Sequence, residues 1–220
     1  MRERCCYNMS RMSSSYTQQL LSLGSATLGE SGAALLNPRL RPMWHGATVA
    51  APAFTVACAA GDNLAIHAAV ARAPRDHALV VSIDDATERG YWGEVLTTGA
   101  EAAGIAALII DGTVRDIAAL ERHQFPVFAR GIALRGASKG GPGSTGGAIV
   151  IGDRIVNTGD WIVGDADGTV VIARESLDSV LASGLERANK EEHFFEELRA
   201  GKTTVELLSL DVSSITTHWH

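Results

Sequence analysis

The sequence predicts an α/β fold, a single domain with a parallel βαβαβ core, a following β meander and a long C-terminal helix. Short continuous apolar runs at 79–83 and 106–110 are typical of strands that are covered on both faces. Between them, residues 92–103 space their bulky apolar side chains as a helix does. Beyond residue 130, short β runs alternate with Gly-Asp turns, and a helical stretch at 175–200 follows.

The N-terminal third is expected to contain a leader, two helices, a loop and a strand that precede this core. Residues 1–15 are polar and without periodicity, which favours a flexible leader before the domain, expected at 16–212. The elements expected next are a helix at 17–23, a proline-containing loop at 37–45, a strand at 47–60 and a helix at 64–71. The Gly61-Asp62-Asn63 turn offers an N-cap for this last helix.

The core and the C-terminal half follow from the alternation of the same patterns. The core adds strands at 79–83, 106–110 and 126–128 and helices at 92–103 and 114–123. Such alternation implies parallel strands joined by right-handed crossovers. After a glycine-rich loop at 136–147, the meander is expected at 148–151, 155–157, 161–163 and 169–172. Residues 213–220 are expected to be a C-terminal tail.

Composition and charge exclude several classes of function. The 220 residues carry a net charge of −6 with no basic stripe, which argues against binding nucleic acid through its phosphates. The longest apolar runs, such as 105–110, are much shorter than a membrane span, and the N-terminus has no apolar signal-peptide core. Three cysteines do not support a disulfide framework. A soluble, cytoplasmic protein is expected.

Two chain segments at strand ends carry the residues best suited to chemistry. Gly93 opens a helix whose first N–H groups could bind a carboxylate, although a close packing contact would explain the same glycine. Arg115 and Asp116 follow the strand at 106–110. An Arg for a substrate carboxylate beside an Asp for a divalent metal suits oxo-acid chemistry, while a surface ion pair is the plain alternative.

Two further positions are anomalous or suggestive. Glu191 interrupts the apolar stripe of the last helix, so it either meets a cation, water or another subunit, or turns to solvent. Lys139 in the glycine-rich loop could approach an anion, although a solvated loop lysine is the default. Four histidines show no metal-ligand spacing with one another: His67, His77, His123 and His193.

Longer motifs resemble a known family. These are GDNLAIHAAVA, WGEVLTTGAEAAGIAALIIDGTVRD, FPVFARGI and GDWIVGDADGTVVI. They resemble the 4-hydroxy-4-methyl-2-oxoglutarate/4-carboxy-4-hydroxy-2-oxoadipate aldolases, a family that also includes the regulator of ribonuclease E activity. The resemblance spans roughly residues 17–210. It implies an α/β/β-type (swivelling-domain) fold, a homotrimer or a dimer of trimers, and active sites between subunits.

The resemblance also implies roles for particular residues. Arg115 would bind the oxo-acid oxygens and stabilise an enolate, and Asp116 would ligate Mg²⁺ or Mn²⁺. Glu94 matches the acidic residue that holds a metal-bound water. The backbone N–H groups of Val95 and Leu96 would bind the substrate carboxylate.

The remaining implied residues come from elsewhere in the chain or from another copy. Glu191 would serve the site of a neighbouring subunit, and Lys139 would line the same cleft. Three places depart from the family pattern: Ala119 stands where an acidic residue is usual, Asp84-Asp85 replaces a glycine-rich turn, and the second half of the glycine loop, STGGAIVIG, differs from the commoner form.

The implied function is metal-dependent retro-aldol cleavage of a 4-hydroxy-2-oxo acid to pyruvate and a carbonyl product. Decarboxylation of oxaloacetate is an expected side activity because it passes through the same enolate. Two alternatives are a non-catalytic regulator that binds a ribonuclease or another protein, and a diverged lyase or isomerase that uses the same enolate site.

Overall fold

The computed structural model describes residues 2–84 and 87–216. The helices are α1 (Arg2–Gly29), α2 (Leu64–Arg72), α3 (Glu94–Ala103), α4 (Ile117–His123), α5 (Leu177–Arg199) and α6 (Thr204–Leu207), and a 3₁₀ turn (Arg174–Ser176) precedes α5. The strands are β1 (Ala34–Leu35), β2 (Arg41–Pro42), β3 (Val49–Cys58), β4 (Ala78–Ile83), β5 (Ala107–Val114), β6 (Val127–Ile132), β7 (Gly143–Thr145), β8 (Ile149–Ile151), β9 (Arg154–Val156), β10 (Trp161–Gly164) and β11 (Thr169–Ile172).

Within the described residues, nine strands form one mixed sheet in the order β1-β11-β10-β3-β4-β5-β6-β2, with β7 paired to β3. The neighbours from β3 to β6 are parallel, and the outer pairs are antiparallel. The predicted parallel core is therefore confirmed, and β3 adds a fourth parallel strand to it. The predicted meander divides: β8 and β9 form a separate hairpin, whereas β10 and β11 extend the main sheet.

Both faces of the sheet are covered. Helices α2, α3 and α4 bury apolar side chains such as Ile66, Leu96 and Leu120 against one face. The hairpin of β8 and β9 covers part of the other face, where Ile149, Ile151 and Val156 join the core. Helices α1 and α5 close the β10–β11 end through a separate apolar cluster. None of the helices between residues 2 and 216 is long and apolar enough to cross a membrane.

Helix α1 is longer than the sequence predicts. It begins at Arg2, inside the segment that we expected to be a flexible leader, and it has a non-helical residue, Gly24, near its end. No glycine or proline occurs before Gly24, so nothing in this stretch interrupts the backbone hydrogen bonding of a helix. After Gly24, the helix resumes at Ser25, whose N–H and hydroxyl both donate to the carboxylate of Asp165.

The boundary between β5 and α4 also differs from prediction. The strand runs through Val114, and α4 starts only at Ile117, so a helix starting at residue 114 was a wrong prediction. Tyr91 N–H donates to the Thr113 carbonyl and Ala133 N–H to the Val114 carbonyl, which keeps these residues extended. Arg115 consequently lies between strand and helix rather than in a first helical turn.

Candidate active site

A cavity of about 220 Å³ opens where β4 and β5 end and α3 begins, the edge of a parallel sheet at which ligands usually bind. It is lined by Asn63, His67, Gly90, Tyr91, Trp92, Gly93, Val95, Leu96, Arg115, Asp116 and Lys139. Five of the sequence-predicted site residues besides Gly93 therefore meet in one place: Val95, Leu96, Arg115, Asp116 and Lys139.

Asp116 lines this cavity and accepts hydrogen bonds from the starts of both α3 and α4. Its backbone is left-handed (φ 60°, ψ 36°), a conformation that Asp tolerates better than most residues, and its carbonyl accepts from the N–H groups of Ala119 and Leu120. Its carboxylate accepts from the Glu94 N–H at 3.0 Å, at the positive end of α3. Asp116 thus occupies part of the anion site predicted at this helix start.

Arg115 is held by its backbone and leaves its guanidinium at the cavity. Its N–H donates to the Trp92 carbonyl at 2.9 Å, and its Nε lies 3.6 Å from Asp116 Oδ2. Trp92 is itself fixed, because its indole N–H donates to the Thr97 hydroxyl and its ring stacks on Phe125. The Arg115 side chain stays 43% exposed, so its charge can meet a ligand.

Two glycines make room for this pair. The backbone at Gly93 is extended (φ −172°), so its lack of a side chain is a matter of space. A Cβ there would overlap the carboxylate of Asp116 and come within 3.1 Å of Arg115 Cγ. A Cβ at Gly90 would lie 2.8 Å from Arg115 Cδ and 2.8 Å from the Ala133 carbonyl oxygen. The packing explanation for Gly93 is therefore confirmed, and its role in binding a ligand stays a prediction.

Gly93→Ala should displace the Asp116 carboxylate while the fold remains intact. A misplacement of about 1 Å in a functional group can lower kcat/KM by roughly 100-fold, and we expect a loss of that order in any activity that uses the Asp116 carboxylate. Gly147→Ala is the matched control, because a Cβ at Gly147 meets nothing within 4 Å. Equal activity of the two variants would show that the space at Gly93 is not needed.

The carboxylate of Asp62 holds the glycine-rich loop in place through hydrogen bonds. Asp62 Oδ2 accepts from the Ser138 hydroxyl at 2.8 Å and from the N–H groups of Gly140 and Gly141 at 2.7 and 2.9 Å, while its Oδ1 accepts from Leu64 N–H. Burial alone would raise the pKa of Asp62, but these four hydrogen bonds hold it well below its ordinary value. These hydrogen bonds hold the loop in a position that places Lys139 at the cavity.

Asp62→Asn should destabilise the fold, because an amide cannot accept from all four donors. We expect the free energy of unfolding at pH 7 to fall by about 2–4 kcal/mol, measured by urea denaturation. The pKa of Asp62 is lowered on folding, so its stabilisation is complete above the ordinary value of about 4 and is lost as pH falls below it. The difference in free energy of unfolding between wild type and Asp62→Asn should therefore become smaller at acidic pH. Asp153→Asn, at an exposed hairpin residue, is the control and should change neither the free energy of unfolding at pH 7 nor its dependence on pH.

Two predicted site residues point elsewhere. The Glu94 carboxylate lies 3.4 Å from Arg122 Nη2 and 3.6 Å from His123 Nε2, outside the cavity lining. Glu191 lies on α5, where Arg187 Nε pairs with it at 2.8 Å. The buried residues of α5 end at Gly184. Contrary to the prediction, Glu191 therefore does not interrupt a buried face within this chain. Their roles toward metal-bound water and a neighbouring subunit stay predictions.

Among the five cavity residues that sequence reasoning missed are Asn63 and His67. Both lie on the cavity side of α2, and the signal that could have found them is their spacing of four residues, which places them on one face of the helix. The spacing of the histidines with one another does not identify His67, because it is not that of metal ligands. The spacing between Asn63 and His67 does identify it, because it places both polar residues on one face of α2.

Ala119 and Asp84, which depart from the family pattern, are not among the residues that line the cavity. Ala119 is buried in α4, and a carboxylate there would need a buried partner. Asp84 ends β4 with its N–H donating to the Cys58 carbonyl, and Asp85 lies outside the described residues.

The residues present fit a weakly held divalent cation. Among the described residues that line the cavity, Asp116 is the one carboxylate, and no group of three or more His, Cys, Asp or Glu side chains assembles a metal site in the described chain. Mg²⁺ suits such a site, because it commonly takes one or two carboxylates and completes its shell with water and substrate oxygens.

Fold and cavity define a mixed α/β protein with a cavity at the carboxyl edge of its parallel strands, where ligands usually bind in such sheets. A sequence profile of the RraA-like family (Aldolase/RraA) matches residues 25–171, and the chain belongs to this family.

Individual relatives agree with this assignment. The chain is 35% identical over 146 residues to a Halalkalibacterium halodurans protein named provisionally as a 4-hydroxy-4-methyl-2-oxoglutarate aldolase, covering 66% of this chain and 70% of that protein. Its fold is similar to that of the RNA-processing inhibitor RraA from Thermus thermophilis (TM-score 0.58, 20% identity, 64% and 84% of the two chains). It is also similar to Streptomyces coelicolor RraAS2, described as an unusual member of the RNase ES inhibitor RraA family (TM-score 0.70, 22% identity, 81% and 94%).

Proposed function

We propose that this protein is a divalent-metal-dependent carbon–carbon lyase. It cleaves a 4-hydroxy-2-oxo acid to pyruvate and a carbonyl product, and it decarboxylates oxaloacetate as a side activity. The observation that carries the proposal is the meeting of Arg115 and Asp116 with the start of α3 in one cavity. The name of the 35% identical relative supports the same reaction class.

The oxo-acid end of the substrate has a direct match in this cavity. The first-turn N–H groups of Val95 and Leu96 have no partner within α3, and the positive end of the helix favours a carboxylate there. The Arg115 guanidinium then lies beside the C2 oxygen. When the C3–C4 bond breaks, negative charge develops on that oxygen, and a fixed guanidinium stabilises it most in the transition state.

Asp116 is the residue that would hold Mg²⁺ or Mn²⁺, with water and the substrate's oxygens as the other ligands. When bound, the cation supplies Lewis-acid stabilisation of the same developing charge. The Glu94 N–H donates to Asp116 Oδ2, which fixes the Asp116 carboxylate at the start of α3. The residue that would hold the metal therefore lies next to the N–H groups that we propose bind the substrate carboxylate.

We also propose a homotrimer or a dimer of trimers in which Glu191 serves a neighbouring copy. Support comes from the C-terminal end of the described chain, where large apolar side chains are exposed, among them Phe195 (45%), Leu208 (53%) and Ile215 (68%). Apolar surface of this kind usually marks an interface. Light scattering on the purified protein measures the mass, and a monomer would contradict this part of the proposal.

A regulator that binds a ribonuclease is the second candidate, favoured by the similarity to the two RraA structures. Those likenesses are at 20% and 22% identity and concern the fold. The regulator does not require Arg115 or Asp116, so substitutions there distinguish the two candidates.

The test is pyruvate release with Mg²⁺ from two substrates, 4-hydroxy-4-methyl-2-oxoglutarate and oxaloacetate. We expect release from both, and its loss on chelation. Turnover of neither substrate, together with capture of a ribonuclease, would favour the regulator. Release from oxaloacetate alone would favour a diverged lyase that uses the same enolate site.

A further inference from the structure

Two residues at the start of α2 line the cavity, and each has a buried side-chain atom with no hydrogen-bond partner in the described part of the chain. The atoms are Asn63 Oδ1 and His67 Nε2. Asn63 precedes the helix and His67 lies one turn later, a spacing at which side chains are neighbours on a helix surface. Buried polar atoms are nearly always hydrogen-bonded in folded proteins, so two adjacent exceptions at a cavity wall call for a ligand.

The surroundings of Asn63 show which kind of atom it presents. Its Nδ2 donates to the Tyr91 carbonyl at 2.8 Å, and its backbone N–H donates to the Ser138 carbonyl at 2.9 Å. The amide group therefore presents its oxygen, an acceptor, to the cavity. Only 4% of Asn63 is exposed, so solvent does not readily satisfy this oxygen.

The surroundings of His67 favour the neutral form of its ring. Burial lowers the pKa of His67, the charge of Lys139 lowers it further, and Asp62 opposes this only in part. Arg115 and Asp116 line the same cavity from the ends of β5 and α4. A neutral ring can present an unprotonated Nε2, which is then an acceptor like Asn63 Oδ1. Each of the two atoms can therefore accept a hydrogen from a ligand.

We propose that His67 is the base that takes the C4 hydroxyl proton of the substrate, and that Asn63 is the positioning residue that accepts a hydrogen bond from the protonated ring. This inference rests on the proposed lyase function and adds the residues of its second half. It assigns the cavity wall formed by α2 to the C4 end of the substrate, opposite Arg115.

The hydroxyl proton moves to Nε2, and the electron pair of the O–H bond forms the carbonyl of the leaving product. The C3–C4 electron pair becomes the C2–C3 double bond of the pyruvate enolate, and the former C2 carbonyl π pair goes to oxygen. The enolate then takes a proton from water at C3, and the ring releases its proton to water. Lys139 lies close enough to the ring to influence it electrostatically, and its ammonium group would attract a second carboxylate at C4.

Oxaloacetate has no C4 hydroxyl, so its decarboxylation does not need this base. His67→Gln should lower kcat on 4-hydroxy-4-methyl-2-oxoglutarate by about 100-fold or more, the usual contribution of general-base catalysis. Oxaloacetate decarboxylation by the same variant should change less than about threefold, which also reports that the protein is folded. His45→Gln, at an exposed histidine, is the matched control.

A second variant tests the role of Asn63 without removing the base. Asn63→Asp keeps an oxygen acceptor and adds a negative charge beside the ring, so the pKa of His67, read from its ring-proton NMR signal without substrate, should rise. The acid limb of the pH profile for the hydroxy acid should move to higher pH with it, and this limb should be absent from His67→Gln.

Three results would overturn the inference while leaving the lyase in place: normal turnover of the hydroxy acid by His67→Gln, equal losses on both substrates, or an unmoved His67 signal in Asn63→Asp. Failure of the wild type on both substrates would instead overturn the proposed function on which this inference rests.

Discussion

Arg115→Ala is expected to lower kcat for pyruvate release by about 10²–10³-fold, the loss observed when a donor to a developing oxyanion is removed. The reason is geometric: the hydrogen bond from the Arg115 N–H to the Trp92 carbonyl fixes the backbone, which keeps the side chain at the cavity where we propose that the substrate binds. Arg115→Lys should recover only part of the loss, because an ammonium lacks the planar fork that matches an oxo acid.

The matched control is Arg154→Ala, which removes an equally long and exposed cation from the β9 strand. It should leave kcat unchanged. Full activity of Arg115→Ala on both oxaloacetate and the hydroxy acid would contradict the assigned role and favour the regulator.

Asp116→Asn should abolish metal-dependent turnover. Asn also tolerates the left-handed backbone at this position and can still accept from the Glu94 N–H, so the fold should be kept. Removing a unit charge in direct contact with a divalent cation should weaken Mg²⁺ affinity by roughly 10²–10³-fold, measured by calorimetry. Asp153→Asn is the control for charge alone, and unchanged Mg²⁺ affinity in Asp116→Asn would place the metal elsewhere.

The core could be predicted because its signals are local. Continuous apolar runs identified β4, β5 and β6 to within a few residues, since strands covered on both faces need no polar side. The end of β5 could not be read in this way. Its last residues, Thr113 and Val114, are kept extended by bonds from Tyr91 and Ala133, which are distant in sequence. Tertiary contacts decide such boundaries.

The site was predicted unevenly for the same reason. Arg115, Asp116 and the start of α3 follow strand ends, and parallel strands bring their ends together. Asn63 and His67 were missed because each is unremarkable alone, and only the folded chain shows that both lack partners. The direction of Glu94 toward Arg122 and His123 depends on the packing of α3 against α4, which the sequence pattern does not specify.

Exchange of the pyruvate methyl protons with D₂O, followed by NMR, tests the central claim most directly. It requires only the oxo-acid end of the substrate, so it is independent of what binds at C4. We expect exchange that depends on Mg²⁺ and on protein, that falls by about 10²–10³-fold in Arg115→Ala, and that persists in Arg154→Ala. No exchange above the rate with Mg²⁺ alone, or equal exchange by Arg115→Ala, would contradict an enolate-forming site at Arg115 and Asp116.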